Sequence, residues 1–227
     1  MVALAGALAA GPGLLKSGMA NLRLALPLAL IASSSAIVGA MMGLALPTNI
    51  VQTALGITIL GIVVLIGSAK KSERPDVPKA DPISSALCIH GVFYDASRNQ
   101  EIDWKVHRTL GGMIMFIVIG IMAGMFGLGA GWANVPVLNL LMGAPLKVSV
   151  ATSKFMLSIV DTSAAWVYMN KGAVLALISV PSILGIMLGS LIGVRLLRVA
   201  NAAVVRKVVL VMLFLAGSRA LMKGLGF

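Results

Sequence analysis

From Leu24 to Ala69, and again from Thr109 to Leu146, the chain carries no Asp, Glu, Lys or Arg. About 20 apolar residues already cross a bilayer as a helix, so charge-free spans this long belong in lipid. Composition agrees with that reading. Of 227 residues, 59% are hydrophobic and 11% charged, and the mean hydropathy is +1.02; soluble domains carry roughly 25% charged residues. Aromatic content is low and no alternating pattern runs through the apolar segments, which argues against a β-barrel. The sequence therefore predicts an all-α fold, a polytopic transmembrane bundle of about seven crossings in contact with a lipid bilayer.

The formal charge of +11 does not point to nucleic acid, because the basic residues sit in loops and at segment ends, where the positive-inside rule accounts for them. A single cysteine, Cys88, excludes an intrachain disulfide and a multi-cysteine metal site. The N-terminal run MVALAGALAAGPG lacks a preceding basic residue and is a weak signal-peptide candidate.

Along the chain, an apolar start is followed by a short polar connection with Lys16, Gly18 and Arg23. A segment over about 24–45 follows, with Pro27 near its start and small residues at Ser33, Ser34, Ser35, Ala36, Gly39, Ala40 and Gly43. Such residues let transmembrane helices pack closely. Pro47-Thr48-Asn49 makes a turn, and a third segment covers about 50–68. Residues 69–108 form the one solvated insert, with both histidines and every acid but Asp161. Within it, apolar and aromatic runs on either side of DASRNQ predict a β-hairpin. His90, His107 and Cys88 lack metal-ligand spacing and read as loop residues, so no metal or cofactor is expected.

The fourth segment starts after Arg108 and breaks at a glycine ladder, Gly124, Gly127, Gly129 and Gly131. Each glycine costs roughly 0.5–1 kcal/mol against alanine inside a helix, so the ladder serves a break or a close approach. VPVLNLLMGAP (135–145) is short and bounded by Pro136 and Pro145, which suits a half-helix; the expectation over 127–145 is a broken helix or re-entrant element. Segments at about 148–169, 173–195 and 204–221 complete the chain.

Sliding the chain against itself so that Pro27 meets Pro181 also aligns Gly18 with Gly172 and Gly39 with Gly193. Internal duplication is common in secondary transporters, with the site at the repeat interface. In this register the counterparts of the glycine ladder and of Ala151-Thr152-Ser153 fall before Met1. The expected organisation is an incomplete first transmembrane repeat (1–68), the polar insert (69–108) and a second transmembrane repeat (109–227). A missing N-terminal half, or a second copy in a homodimer, would supply the absent half-site. With the 131–145 stretch not counted as a crossing, the insert, Lys171 and the C-terminus share the more basic side, which predicts that the insert and C-terminus are cytoplasmic in a plasma (inner) membrane. A full crossing by 131–145 reverses that assignment for one half.

Asp161 is the only acid inside an apolar segment, and Lys154 lies two turns earlier on the same helix face. Intramembrane ionisable groups are expensive and mark a pathway or relay by default. Two readings stand for Asp161, a proton or charge relay and the counter-ion of a basic residue. Lys154 either binds an anion or snorkels to an interface. Thr152 and Ser153 add hydroxyl donors beside it, and Asn134 and Asn139 flank Pro136. The GLGAG run fails as a dinucleotide fingerprint, since no strand precedes it and Trp132 stands where the last glycine belongs. Its two remaining readings are close helix packing and a broken helix offering backbone N–H groups to an anion.

The run GLGAGWANVPVLNLLMGAPLKVSVATSK, followed by Tyr168, Gly172 and the small residues Gly185, Gly189 and Gly193, resembles the sulfite exporter (TauE/SafE) family. The resemblance covers 110–223 and, as the later part of a first copy, 14–68. It implies transport of sulfite or an organosulfur anion, and it places Gly127, Gly129, Gly131, Pro136, Thr152 and Ser153 at the site. The function expected is a carrier for a small anion coupled to the proton gradient, with Asn134 and Lys154 among the substrate contacts and Asp161 as relay. The rival readings are a non-transporting assembly subunit docked through the insert, and an intramembrane enzyme, for which no nucleophile–base pair lies at membrane depth.

Overall fold

The structure, a computed structural model, describes residues 3–9, 20–68, 81–87, 89–95, 100–127, 129, 131–174, 176–199 and 202–226. The expectations for Lys16, Gly18, residues 69–80, Cys88, the turn 96–99, Leu128 and Ala130 lie outside them. The described chain is mostly helical: α1 (residues 3–9), α2 (Leu22–Ala45), α3 (Thr48–Ser68), α4 (Pro82–Ala86), α5 (Thr109–Phe126), α6 (Gly131–Pro136), α7 (Leu146–Asn170), α8 (Ala176–Val199) and α9 (Ala202–Gly224). A π-helical turn, Val137–Leu141, continues α6. Strands β1 (His90–Asp95) and β2 (Gln100–Lys105) pair antiparallel, His90 opposite Lys105 and Asp95 opposite Gln100. By length and apolar composition, α2 and α5 can each cross a membrane.

Helix α2 begins where the Asn21 side chain accepts the Leu24 N–H at 3.0 Å, and it ends before Pro47. It packs along α5 by backbone contact. A Cβ added at Gly39 would strike the Ile121 carbonyl, and one at Gly124 the Ala36 carbonyl. Gly120 lies likewise on Ala32, and Gly43 on Met125. Residue numbers rise together across these contacts, so α2 and α5 run parallel. Glycine lets the two backbones meet without a side chain between them.

Helix α7 is parallel to both. The Asn21 N–H, at the start of α2, donates to Thr152 Oγ1 near the start of α7. Tyr168, near the end of α7, donates its hydroxyl to the Gly124 and Met125 carbonyls at the end of α5, at 2.8 and 3.1 Å. The bundle thus has a near end, where α2, α5 and α7 start beside the insert, and a far end where they finish.

Residues 127–145 join the far end of α5 to the near end of α7. The His107 N–H donates to the Met142 carbonyl at 3.0 Å, and the Met142 side chain fills the space over Gly112 in the first turn of α5. The expectation of a re-entrant element is corrected here: the segment does not come back to the end at which it starts, but completes a return leg.

The expectation that the insert and C-terminus share one side is corrected too. Helix α9 runs antiparallel to α3, with Gly217 against Ile59, Gly56 against Leu221 and Gly224 against Thr53. Thr53 follows directly on the far end of α2, so the C-terminal turn lies at the far end and the insert at the near end. The insert is seated in the bundle, since Ile89, Trp104 and Val106 are buried in the same core as Leu24, Leu28 and Phe116. Outward faces remain apolar, as Leu30 at 65% and Ile114 at 55% exposure illustrate.

Candidate functional site

The site begins where α5 stops. Gly127 takes a left-handed conformation (φ +64°), and its N–H closes on the Ala123 carbonyl at 2.9 Å. Gly129 repeats the left-handed turn (φ +74°). An L side chain is strained at such angles, which is why glycine occupies both positions. The hydroxyl of Tyr168 takes up carbonyls that the ending helix leaves free.

From there the backbone drops beside the middle of α7. A Cβ at Gly129 would lie 3.0 Å from Leu157 Cδ2 and 3.1 Å from Asp161 Oδ2, and one at Gly131 would lie 2.8 Å from Leu157 Cδ1. Non-helical backbone therefore rests against the one carboxylate at this depth. Asp161 is buried, and its Oδ2 has no hydrogen-bond partner among the described residues. Asn134, in α6, is fully buried with neither Oδ1 nor Nδ2 partnered. Buried polar groups in native folds are nearly always satisfied, so these free atoms mark Asn134 and Asp161 as candidate ligand contacts.

Other residues named from the sequence fall elsewhere. Thr152 and Ser153 are buried in the second turn of α7, about 13 Å below Asp161 at 1.5 Å per residue. Thr152 accepts the Asn21 N–H at 3.2 Å. Lys154 is exposed and makes no ion pair with Asp161. Pro136 lines an apolar cavity of about 240 Å³ between α6, α5 and α3, with Ala133, Ile119 and Ile62. Asn139 is used structurally, its amide donating to the Ala144 carbonyl at 2.8 Å. Among the described residues, no three His, Cys, Asp or Glu side chains gather as metal ligands.

Two arrangements escaped the sequence reading. Asn21 ties three parts together: its side chain caps α2, its N–H reaches Thr152, and its amide donates to the His90 carbonyl of the hairpin at 3.4 Å. Asp81 caps α4 by accepting the Ser84 N–H at 3.0 Å, and it also accepts the N–H and hydroxyl of Thr109, each at 2.8 Å, at the start of α5. Burial alone would raise its pKa, but the bonds from Thr109 and Ser84 prevail and hold the carboxyl below the usual value of 3.8. The signal for both was an Asn or Asp just before an apolar run, a helix-cap pattern.

Comparison with known proteins adds a decisive match. Residues 1–220 match the sulfite exporter TauE/SafE family. The chain belongs to this family. Membership in a family of membrane transporters places the chain in a membrane. It is also 28% identical over 148 residues to the probable membrane transporter protein YunE of Bacillus subtilis (strain 168), covering 65% of this chain and 54% of that protein. The chain thus spans about half the length of the curated relative it matches. No solved structure matches it.

Proposed function

We propose that the chain is a membrane carrier for a small anion, sulfite or an organosulfur anion, driven by the proton gradient. The observation that carries this reading is the non-helical backbone at Gly129 lying against Asp161. Family membership supports the substrate class.

In the proposed mechanism, backbone N–H groups of 129–134 and the Asn134 amide hydrogen-bond the anion at mid-depth. Gly127, Gly129 and Gly131 keep that backbone free of side chains, and Pro136 holds the turn behind it. Asp161 takes up a proton as the anion binds. Without that proton, two negative charges would share a low-dielectric pocket, which is strongly unfavourable. With it, the pair crosses together and the carboxyl donates a hydrogen bond. Thr152 and Ser153 receive the anion lower on α7, and the exposed Lys154 draws it toward the near mouth.

The return leg also sharpens orientation. Counting α2, α3, α5, 127–145, α7, α8 and α9 gives about seven crossings. Among the described residues, Lys171, Arg219 and Lys223 belong to the far end, against Arg23, Lys105, Arg108, Lys147 and Lys154 at the near end. The near end, with the insert, is therefore cytoplasmic, and the C-terminal turn lies across the membrane from it.

The test is uptake of labelled sulfite and taurine into proteoliposomes of the purified chain under an imposed pH gradient. Uptake that rises with the gradient and collapses with a protonophore is expected. Absence of uptake for every anion sinks the reading and leaves the non-transporting assembly subunit in its place.

A further inference from the structure

Helices α2 and α7 bring a third unpartnered group to the same depth. Hydroxyls in transmembrane helices normally bond back to a carbonyl one turn earlier. The chain follows this habit closely: Ser34 bonds Leu30, Ser35 bonds Ile31, Thr53 bonds Asn49, and Thr162 bonds Ser158. Ser33 departs from it. It is only 8% exposed, yet its Oγ has no partner among the described residues.

Its depth follows from the pairing of Asn21 with Thr152. Ser33 stands twelve residues beyond Asn21 on α2, and Asp161 nine beyond Thr152 on the parallel α7, so at about 1.5 Å per residue the two differ in depth by less than one turn. The face of α2 that meets α5 carries Ala32, Ala36, Gly39 and Gly43. Ser33 lies to one side of it, on a buried stripe with Ala25, Ala29 and Ala40, and α7 is the other long helix packed along α2. Ser33 Oγ, the Asn134 amide and Asp161 Oδ2 are thus three buried, unsatisfied polar groups from three elements.

We infer that Ser33 is a substrate-binding residue contributed by α2, its hydroxyl donating to an oxygen of a bound sulfur oxyanion that Asn134 and Asp161 also contact. The site then spans both repeats, with the hydroxyl supplied by the first and the carboxyl and amide by the second. An oxyanion fits this donor set because its oxygens can accept from a hydroxyl, an amide N–H and a protonated carboxyl. A hydrophobic occupant would leave all three unsatisfied. The inference rests on the transporter reading for its ligand class and on the free hydroxyl for its residue.

The experiment uses the full chain with Cys88→Ser, carrying either Ser33→Cys or, as a buried control, Ala40→Cys. Reaction with 2-aminoethyl methanethiosulfonate is followed with and without saturating isethionate, a sulfonate that does not consume the reagent. The Ser33→Cys thiol is expected to react about tenfold faster than the control and to be protected by isethionate, and Ser33→Ala to raise the KM for transport about tenfold. Equal rates for the two thiols overturn the inference. So does a thiol that isethionate leaves unprotected while the chain transports isethionate. Protection without transport of any anion upholds Ser33 and sinks the carrier reading instead; neither protection nor transport sinks both.

Discussion

The near end and the middle of the bundle use polar residues in opposite ways. At the near end, Asp81, Ser84, Thr109 and Asn21 are tied by hydrogen bonds that seat the insert on α2 and α5, and the Asn21 N–H also reaches Thr152 of α7. At mid-depth, Ser33, Asn134 and Asp161 are buried like Ser84, Thr109 and Thr152 but carry free polar atoms, which among the described residues the near end shows only at His107 Nδ1. Burial alone therefore does not separate structural from functional polarity. Satisfaction does: a partnered group contributes stability, whereas a group left unsatisfied in an apolar interior is a standing cost that only an occupant relieves.

Substitutions that touch one region and spare the other can break this contrast. Asp161→Asn should have the largest effect, cutting proton-driven uptake on the order of a hundredfold while leaving the melting temperature unchanged or raised. Retained uptake that no longer responds to the pH gradient would keep the pocket and remove the relay. Gly129→Ala comes next. A Cβ there meets Leu157 and Asp161 in a backbone that disfavours it, so uptake should fall about tenfold at 1–3 kcal/mol of strain. Uptake at the original rate would show that the unwound backbone stands apart from transport.

The partnered region should answer in stability alone. Asp81→Ala removes a carboxylate that caps two helices, and should lower unfolding stability by about 1–2 kcal/mol, read in detergent melts, with KM within twofold. Because the Asp81 carboxyl is held below 3.8 when folded, its contribution is present above that value and is lost as pH falls through the lower, folded one. Wild type and Asp81→Ala should therefore converge in stability only in strong acid, not across pH 5–8. Tyr168→Phe, at the far end, is the mildest, removing one shared hydroxyl for about 1 kcal/mol. A change of KM in Asp81→Ala would erase the distinction between the two regions.

The bilayer-soaked helices were legible because charge-free spans leave few alternatives, and Asp161 stood out as the one acid within them. The break after Phe126 was legible from glycine spacing. Its course was not, because sequence does not tell whether a broken stretch turns back or carries on, and that single choice reverses the direction of every later helix. Nor could composition separate Ser33 from Ser34 and Ser35. Three adjacent serines look alike until the neighbouring backbone decides which hydroxyl bonds its own helix. Lys154 was readable as an ionisable group near an acid, but its exposure depends on what packs around α7, and Thr152 gave no hint of its partner 131 positions away on Asn21.

The contact between α2 and α5 has one more implication. Four glycines place bare peptide units of one helix against those of the other, like meshed teeth without clearance, so neither rod can slip lengthwise past its neighbour. Under the proposed carrier function that pair would be the stator, and any rocking that exposes the pocket first to one compartment and then to the other would fall to the elements packed around it.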